Sequence, residues 1–337
     1  MRKPAFPLIL FVLLALGTDA LARSVEACAV ETLPDLERAF EQRDLAPVRA
    51  WLGSCGEALA ETPDVLRVRA WLARREQLTD EAVELLARAI EQDPSRAALY
   101  FDRAAMQREQ LERTGGLKAL RIARRLRADL ETALELDPEH PATLEALYAF
   151  HRRAPGIVGG SDRRAEELAE RLRQVDPARL LHRHAMRLRN EDREAAIDSL
   201  RRALALVERA PAEWRMRLAR LEAEVGNADA ALAALEPLVS EAALHPPALN
   251  EFGRIAAETG QRLREALGLL EDYLTREPWP GDPGHGEAWW HKARVLAALG
   301  ERERALEALK CAQRENPALE FGDLAVVGRP VAGVRTG

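Results

Sequence analysis

Seven histidines and a dense field of carboxylates are the residues here that could do metal or acid–base chemistry. His182 and His184 lie two apart in a segment of helical period. Side chains at i and i+2 leave a helix on different faces, so the two do not grip one metal. His285 and His291 flank a Pro- and Gly-rich stretch, with no cysteine or carboxylate cluster to complete a ligand set. Paired carboxylates such as Glu166 and Glu167, or Glu222 and Glu224, have arginines beside them. That is the pattern of a solvated helix face with i,i+4 pairs, not of an acid/base dyad. Gly159-Gly160-Ser161 precedes a helical segment and looks like a phosphate cradle, but the strand and lysine of a P-loop are missing. Ser161 or Asp162 as the N-cap of a helix from Arg163 explains the turn without a ligand. Nucleophile-elbow, zinc-protease and dithiol motifs are not found. The sequence points to no enzyme, no metal and no cofactor. What remains to carry function is a surface.

That surface has to be positioned by helices. Of 337 residues, 47% are hydrophobic, 31% charged and only 5% aromatic, with Ala, Leu, Arg and Glu dominant. This composition suits helix packed on helix. Arg2 and Lys3, the apolar run Leu8 to Leu16 and the small residues Ala20 and Ala22 have the form of an export signal spanning residues 1–22, cleaved after Ala22. The run is too short for a membrane helix, which needs roughly 18 or more apolar residues, and no later stretch approaches that length. Without Arg2, Lys3 and Asp19 the chain has 47 basic and 54 acidic residues, a net charge of −7. A general nucleic-acid binder would carry a basic surface instead. A periplasmic location makes a Cys28–Cys55 disulfide the expectation, pinning the first helix pair and worth roughly 3 kcal/mol; two buried thiols are the alternative. Glu26 and the distance from the apolar run argue against a lipid-modified Cys28.

The clearest stretch is Trp289 to Pro317, two amphipathic helices meeting at Gly300. Counted with Trp289 as position 4 of a 34-residue unit, Ala293 is at 8, Gly300 at 15, Ala305 at 20, Leu309 at 24, Ala312 at 27 and Pro317 at 32. This resembles the tetratricopeptide repeat in its aromatic, alanine, leucine and proline anchors. A second unit repeats the spacing with Ala70, Ala82, Leu86, Ala89 and Pro94. Small residues are needed at positions 8, 20 and 27 because the paired helices cross closely there.

Going along the chain, residues 23–61 form an atypical N-terminal helical pair, Pro34–Arg43 and Pro47–Leu59. Residues 62–317 are the repeat array, and residues 318–337 a tail without helical period. Pro94 to Pro138 spans 44 residues, ten more than one period, which predicts longer helices on either side of Gly115-Gly116. A further excess falls in Ala154 to Asp162, an extended insert whose Ile157 and Val158 should pack on neighbouring helices. The fifth unit, around Leu180 to Leu206, is degenerate. Pro278 to Gly286 is a linker into the last unit.

The resemblance implies an all-α, right-handed solenoid of about seven to eight antiparallel helix pairs. Its first helices would line a concave groove through positions 5, 9, 12 and 13. Those positions select Arg67, Trp71, Arg74 and Arg75 in the second unit, Phe101 and Arg108 in the third, Arg152 and Arg153 in the fourth, and Trp290 and Arg294 in the last. Arginine and aromatic side chains dominate binding hot spots. The function implied is a non-catalytic scaffold of the cell envelope that binds a protein or peptide, with no nucleic acid and no membrane span. A small-ligand carrier of a transport system is the alternative, and the helical part of a cell-wall enzyme a further one.

Overall fold

The computed structural model describes residues 33–41, 43–55, 59–279 and 281–317. The export signal, Cys28 and the tail from Ala318 lie outside them. Sixteen α-helices and no strand occur among the described residues, and they form eight consecutive pairs. The first four pairs are α1 (Leu33–Glu41) with α2 (Leu45–Ser54), α3 (Pro63–Arg75) with α4 (Thr79–Gln92), α5 (Ala97–Glu112) with α6 (Gly116–Leu136), and α7 (Pro141–Arg153) with α8 (Asp162–Val175). Then follow α9 (Pro177–Leu188) with α10 (Arg193–Ala205), α11 (Ala212–Glu224) with α12 (Ala228–Ser240), α13 (Pro246–Thr259) with α14 (Leu263–Leu274), and α15 (His285–Ala298) with α16 (Arg302–Glu315). The chain packs as two compact units, Met1–Leu168 and Ala169–Gly337, divided within α8.

In the first unit, Leu36, Val48, Trp51 and Cys55 pack against Val65, Val68 and Trp71, joining the first pair to the second. Leu66, Ala70, Leu86 and Ala89 then meet Leu99 and Met106 of α5. In the second unit one continuous core runs from Ala185 through Leu200, Leu218, Leu235, Phe252 and Leu270 to Val295. Within each unit, neighbouring pairs share these cores, which is how a repeat too small for a core of its own becomes stable.

The helix ends follow local chemistry. Asp176 and Asp192 are N-caps that accept from the backbone N–H of Arg179 and Ala195 at 3.0 Å each. Gly260 and Gly300 close the first helices of the last two pairs at φ 75° and 81°, the left-handed conformation in which glycine carries no Cβ penalty. The same position of the second repeat is Gln77, at φ 61°.

Two expectations are corrected: where the helix from Pro47 ends, and the form of the insert before α8. The helix expected to reach Leu59 ends at Ser54. The degenerate fifth unit is a complete pair, α9 and α10. There Trp214 joins Ala178 and Ala203 in a small core, and the ring of His182 stacks on Trp214 at 4.8 Å. The insert before α8 is a 3-10 turn, Gly156–Val158, not an extended piece. It buries Val158 (3% exposed) but leaves Ile157 68% exposed, because successive side chains of so tight a turn diverge. The turn is stapled by the Ser161 N–H donating to the His151 carbonyl, and Ser161 Oγ caps α8 by accepting from the Arg164 N–H. The elongation of the third pair is as expected: α5 has 16 residues and α6 has 21.

Candidate functional site

The first helices of the pairs carry a ladder of charged and aromatic side chains. Arg67 of α3 is almost buried. Its Nε donates to Asp102 Oδ2 of α5 at 2.7 Å, and its Nη2 to Glu37 Oε1 of α1 at 3.4 Å. The Trp71 indole N–H donates to the same Asp102 oxygen at 3.0 Å, and the Arg67 guanidinium lies 4.7 Å from the Trp71 ring centroid. Burial is the largest influence on Arg67 and would depress its pKa, but Asp102, together with Glu37 and Asp64, more than offsets it, so the pKa is raised above its ordinary value. About two turns on from Arg67, Arg74 Nε donates to Glu109 Oε1 at 2.7 Å. Arg67 and Asp102 are 35 residues apart, as are Arg74 and Glu109. One repeat period separates the partners, so these bonds fix the register of one pair on the next.

The second unit repeats the device with other residues. Glu251 of α13 is buried and receives both Arg220 Nε at 3.0 Å and Arg220 Nη2 at 3.1 Å, a bidentate grip from α11. Arg254 closes on the same carboxylate at 2.7 Å and reaches Glu258 at 2.6 Å. Burial would raise the Glu251 pKa, yet the two guanidinium groups outweigh it and hold the carboxyl below its usual range. Arg294 of α15 lies 3.7 Å from Glu258. Asn250 donates to Glu287 at 3.5 Å, and Glu287 also meets His291 at 3.5 Å. His291 foremost holds the Glu287 carboxyl below its ordinary value.

The selected residues fall into two groups. Arg67, Trp71, Arg74 and Arg294 are rungs of this ladder. Phe101 is half-buried, its ring edge-on to His140 at 5.2 Å. Arg108 is exposed and pairs with Glu112 of its own helix, at 3.3 Å. Arg152 pairs with Asp162 at 2.6 Å; Arg153 is exposed, and Arg75 and Trp290 are half-buried. Cys55 is 1% exposed, while the proposed partner Cys28 lies outside the described residues. The carboxylates Asp102, Glu109 and Glu251 were missed by the sequence reading, as were Arg220 and Arg254. Applying the same offsets to the sixth and seventh units would have found the two arginines. Among the described residues no group of His, Cys, Asp or Glu is placed to hold a metal ion, and no helix is long and apolar enough to cross a membrane.

The crossings within the pairs decide what kind of repeat this is. Ala70, Ala82 and Ala89 at positions 8, 20 and 27 of the second unit are 0% exposed, and so are Ala293, Ala305 and Ala312 of the last. In the seventh unit the crossing is tighter still, since a Cβ on Gly253 would stand 2.5 Å from Leu270 Cγ. The pairs have the close helix crossings expected of tetratricopeptide-like hairpins in an all-α repeat fold.

No protein-family model matches the chain, and no curated protein matches it. Among solved structures, the chain is similar to a tetratricopeptide repeat protein from Parabacteroides merdae, at 17% identity and TM-score 0.40 over 79% of this chain and 96% of that one. It is also similar to YrrB, described as a protein of this type with an unusual peptide-binding site, at 19% identity and TM-score 0.34 over 73% and 96%. A third similar structure is PilW, described as a type IV pilus biogenesis factor, at 18% identity and TM-score 0.46 over 66% and 95%. Likeness this distant speaks to the helical-repeat fold and says nothing of what this chain binds.

Proposed function

We propose that the chain is an exported, non-catalytic scaffold of the cell envelope that binds a protein or peptide segment along its first-helix face. The observation that carries this reading is the buried Arg67–Asp102–Trp71 junction. It holds neighbouring first helices in one register before any partner arrives, so a partner meets a preorganised surface and binding has little ordering cost to overcome. The rung residues are occupied with each other. By this reading the residues that meet a partner are Phe101, Arg108 and Arg153 on the first helices of the first unit and Trp290 on that of the second, all half-buried or exposed. Aromatic rings and guanidinium groups supply binding energy out of proportion to their number.

Export rests on the signal-like start of the sequence, and an oxidising compartment would pair Cys28 with Cys55. Crosslinking in intact cells followed by affinity capture tests the scaffold reading. Reproducible recovery of a particular protein is expected, and consistent recovery of none contradicts it.

A further inference from the structure

The elongated third pair makes a pocket that ordinary repeat lengths would not. Residues Gln110, Arg113, Thr114, Lys118 and Ile122 of α5, α6 and their turn overhang the α3–α4 turn. Between them lies a cavity of about 360 Å³, walled opposite by Leu78, Asp80 and Glu81. That is the small end of the roughly 300–1,000 Å³ typical of ligand sites.

The walls sort by chemistry. Leu78 is 47% exposed, and Ile122, nearly buried, is the other large apolar side chain. Arg113 donates to the hydroxyl of Thr79, itself only 3% exposed, and Gln110 donates to Asp80 Oδ1 at 2.5 Å. Neither Arg113 nor Lys118 meets a carboxylate among the described residues. This is unusual in a chain whose arginines are so often ion-paired. Lys118 also stands in the first turn of α6, which has no acidic residue and no side-chain cap. A cation there opposes the helix dipole, so its position is not explained by helix stability.

The pocket therefore offers two cations without acidic partners on one wall, two carboxylates on the other, and apolar side chains at 78 and 122. A phosphate or other dianion meets Asp80 and Glu81 unfavourably, and a plain hydrocarbon leaves four charged groups facing it. We propose that the pocket binds a free apolar α-amino acid. Its carboxylate lies on Arg113 and Lys118, its ammonium group towards Asp80 and Glu81, and its side chain on Leu78 and Ile122. The proposal is independent of what the first-helix face binds.

Titration calorimetry of the purified chain with L-leucine tests it, with 4-methylpentanoate lacking the ammonium and isoamylamine lacking the carboxylate. Saturable binding of leucine is expected, at least about tenfold tighter than either analogue, with a further loss of about tenfold in Lys118→Ala at an unchanged melting temperature. Absence of saturable leucine binding overturns the proposal. So does 4-methylpentanoate binding as tightly as leucine, or leucine binding unaltered in both Lys118→Ala and Glu81→Gln.

Discussion

Arg67 and Asp102 belong to different repeats and meet at 2.7 Å in a setting where their side chains are only 9% and 13% exposed. Two consequences follow from that degree of burial. Removing either partner strands a charge in a poorly solvated place. Replacing both with apolar groups of similar volume removes the problem together with the bond. Asp102→Ala is expected to cost about 3 kcal/mol or more, because it also orphans the Trp71 N–H. The double variant Arg67→Met/Asp102→Leu should recover the part of that loss that comes from the stranded charge, the Trp71 N–H still lacking its acceptor. Glu109→Ala, which frees the more exposed Arg74, should cost under about 1 kcal/mol. Thermal midpoints of the four proteins check the ranking, and equal losses for Asp102→Ala and Glu109→Ala would contradict it.

The crossing at Gly253 gives a steric prediction. A methyl group there meets three Leu270 carbons at 2.5–2.6 Å; Gly253 is buried and Leu270 is fully enclosed in the continuous core. Gly253→Ala should destabilise by about 1–3 kcal/mol, overpacking outweighing the alanine's better helix propensity. Gly253→Ala with Leu270→Ala should recover part of the loss. Urea denaturation measures both.

Glu251 carries a pH dependence. Its folded pKa is depressed below the unfolded carboxylate value of about 4.3, since Arg254 and Arg220 outweigh its burial. A depressed acid contributes stability above its unfolded pKa and loses it as pH falls through the folded one. The urea midpoint of the wild-type chain should therefore exceed that of Glu251→Gln by a constant margin above about pH 6, with the margin shrinking below about pH 4. A margin that stays the same down to pH 3 would exclude the ion pairs as its source.

The short turn before α8 divides its two apolar residues. Val158 is 3% exposed and Ile157 68% exposed, so Val158→Asp should lower the melting temperature clearly while Ile157→Asp leaves it within about 0.5 kcal/mol of wild type.

Much of the fold was legible in the sequence, because the small residues at the helix crossings obey a steric rule that only residue size can satisfy. Ala70, Ala82 and Ala89 announced themselves by spacing alone. The fifth pair was partly legible: Ala196, Leu200 and Ala203 mark its second helix by spacing, whereas its first helix packs through the stacking of His182 on Trp214, which no apolar period announces. The face was only half legible. Arg67 and Arg74 could be placed on it by position. Their commitment to Asp102 and Glu109 could not, since the partners lie a full repeat away and acidic residues are everywhere in this chain. Ile157 was misplaced because consecutive apolar residues in a 3-10 turn do not share a face.

The most direct test of the first-helix face as a binding surface is site-specific photocrosslinking in living cells. A benzophenone side chain would be placed at Arg108 or Arg153 on that face, and at Arg88 of α4 or Glu307 of α16 on the second helices. The same discrete adduct from Arg108 and Arg153, and none from Arg88 or Glu307, is the predicted result. Adducts of equal yield from all four positions, or none from the first-helix face, would contradict it.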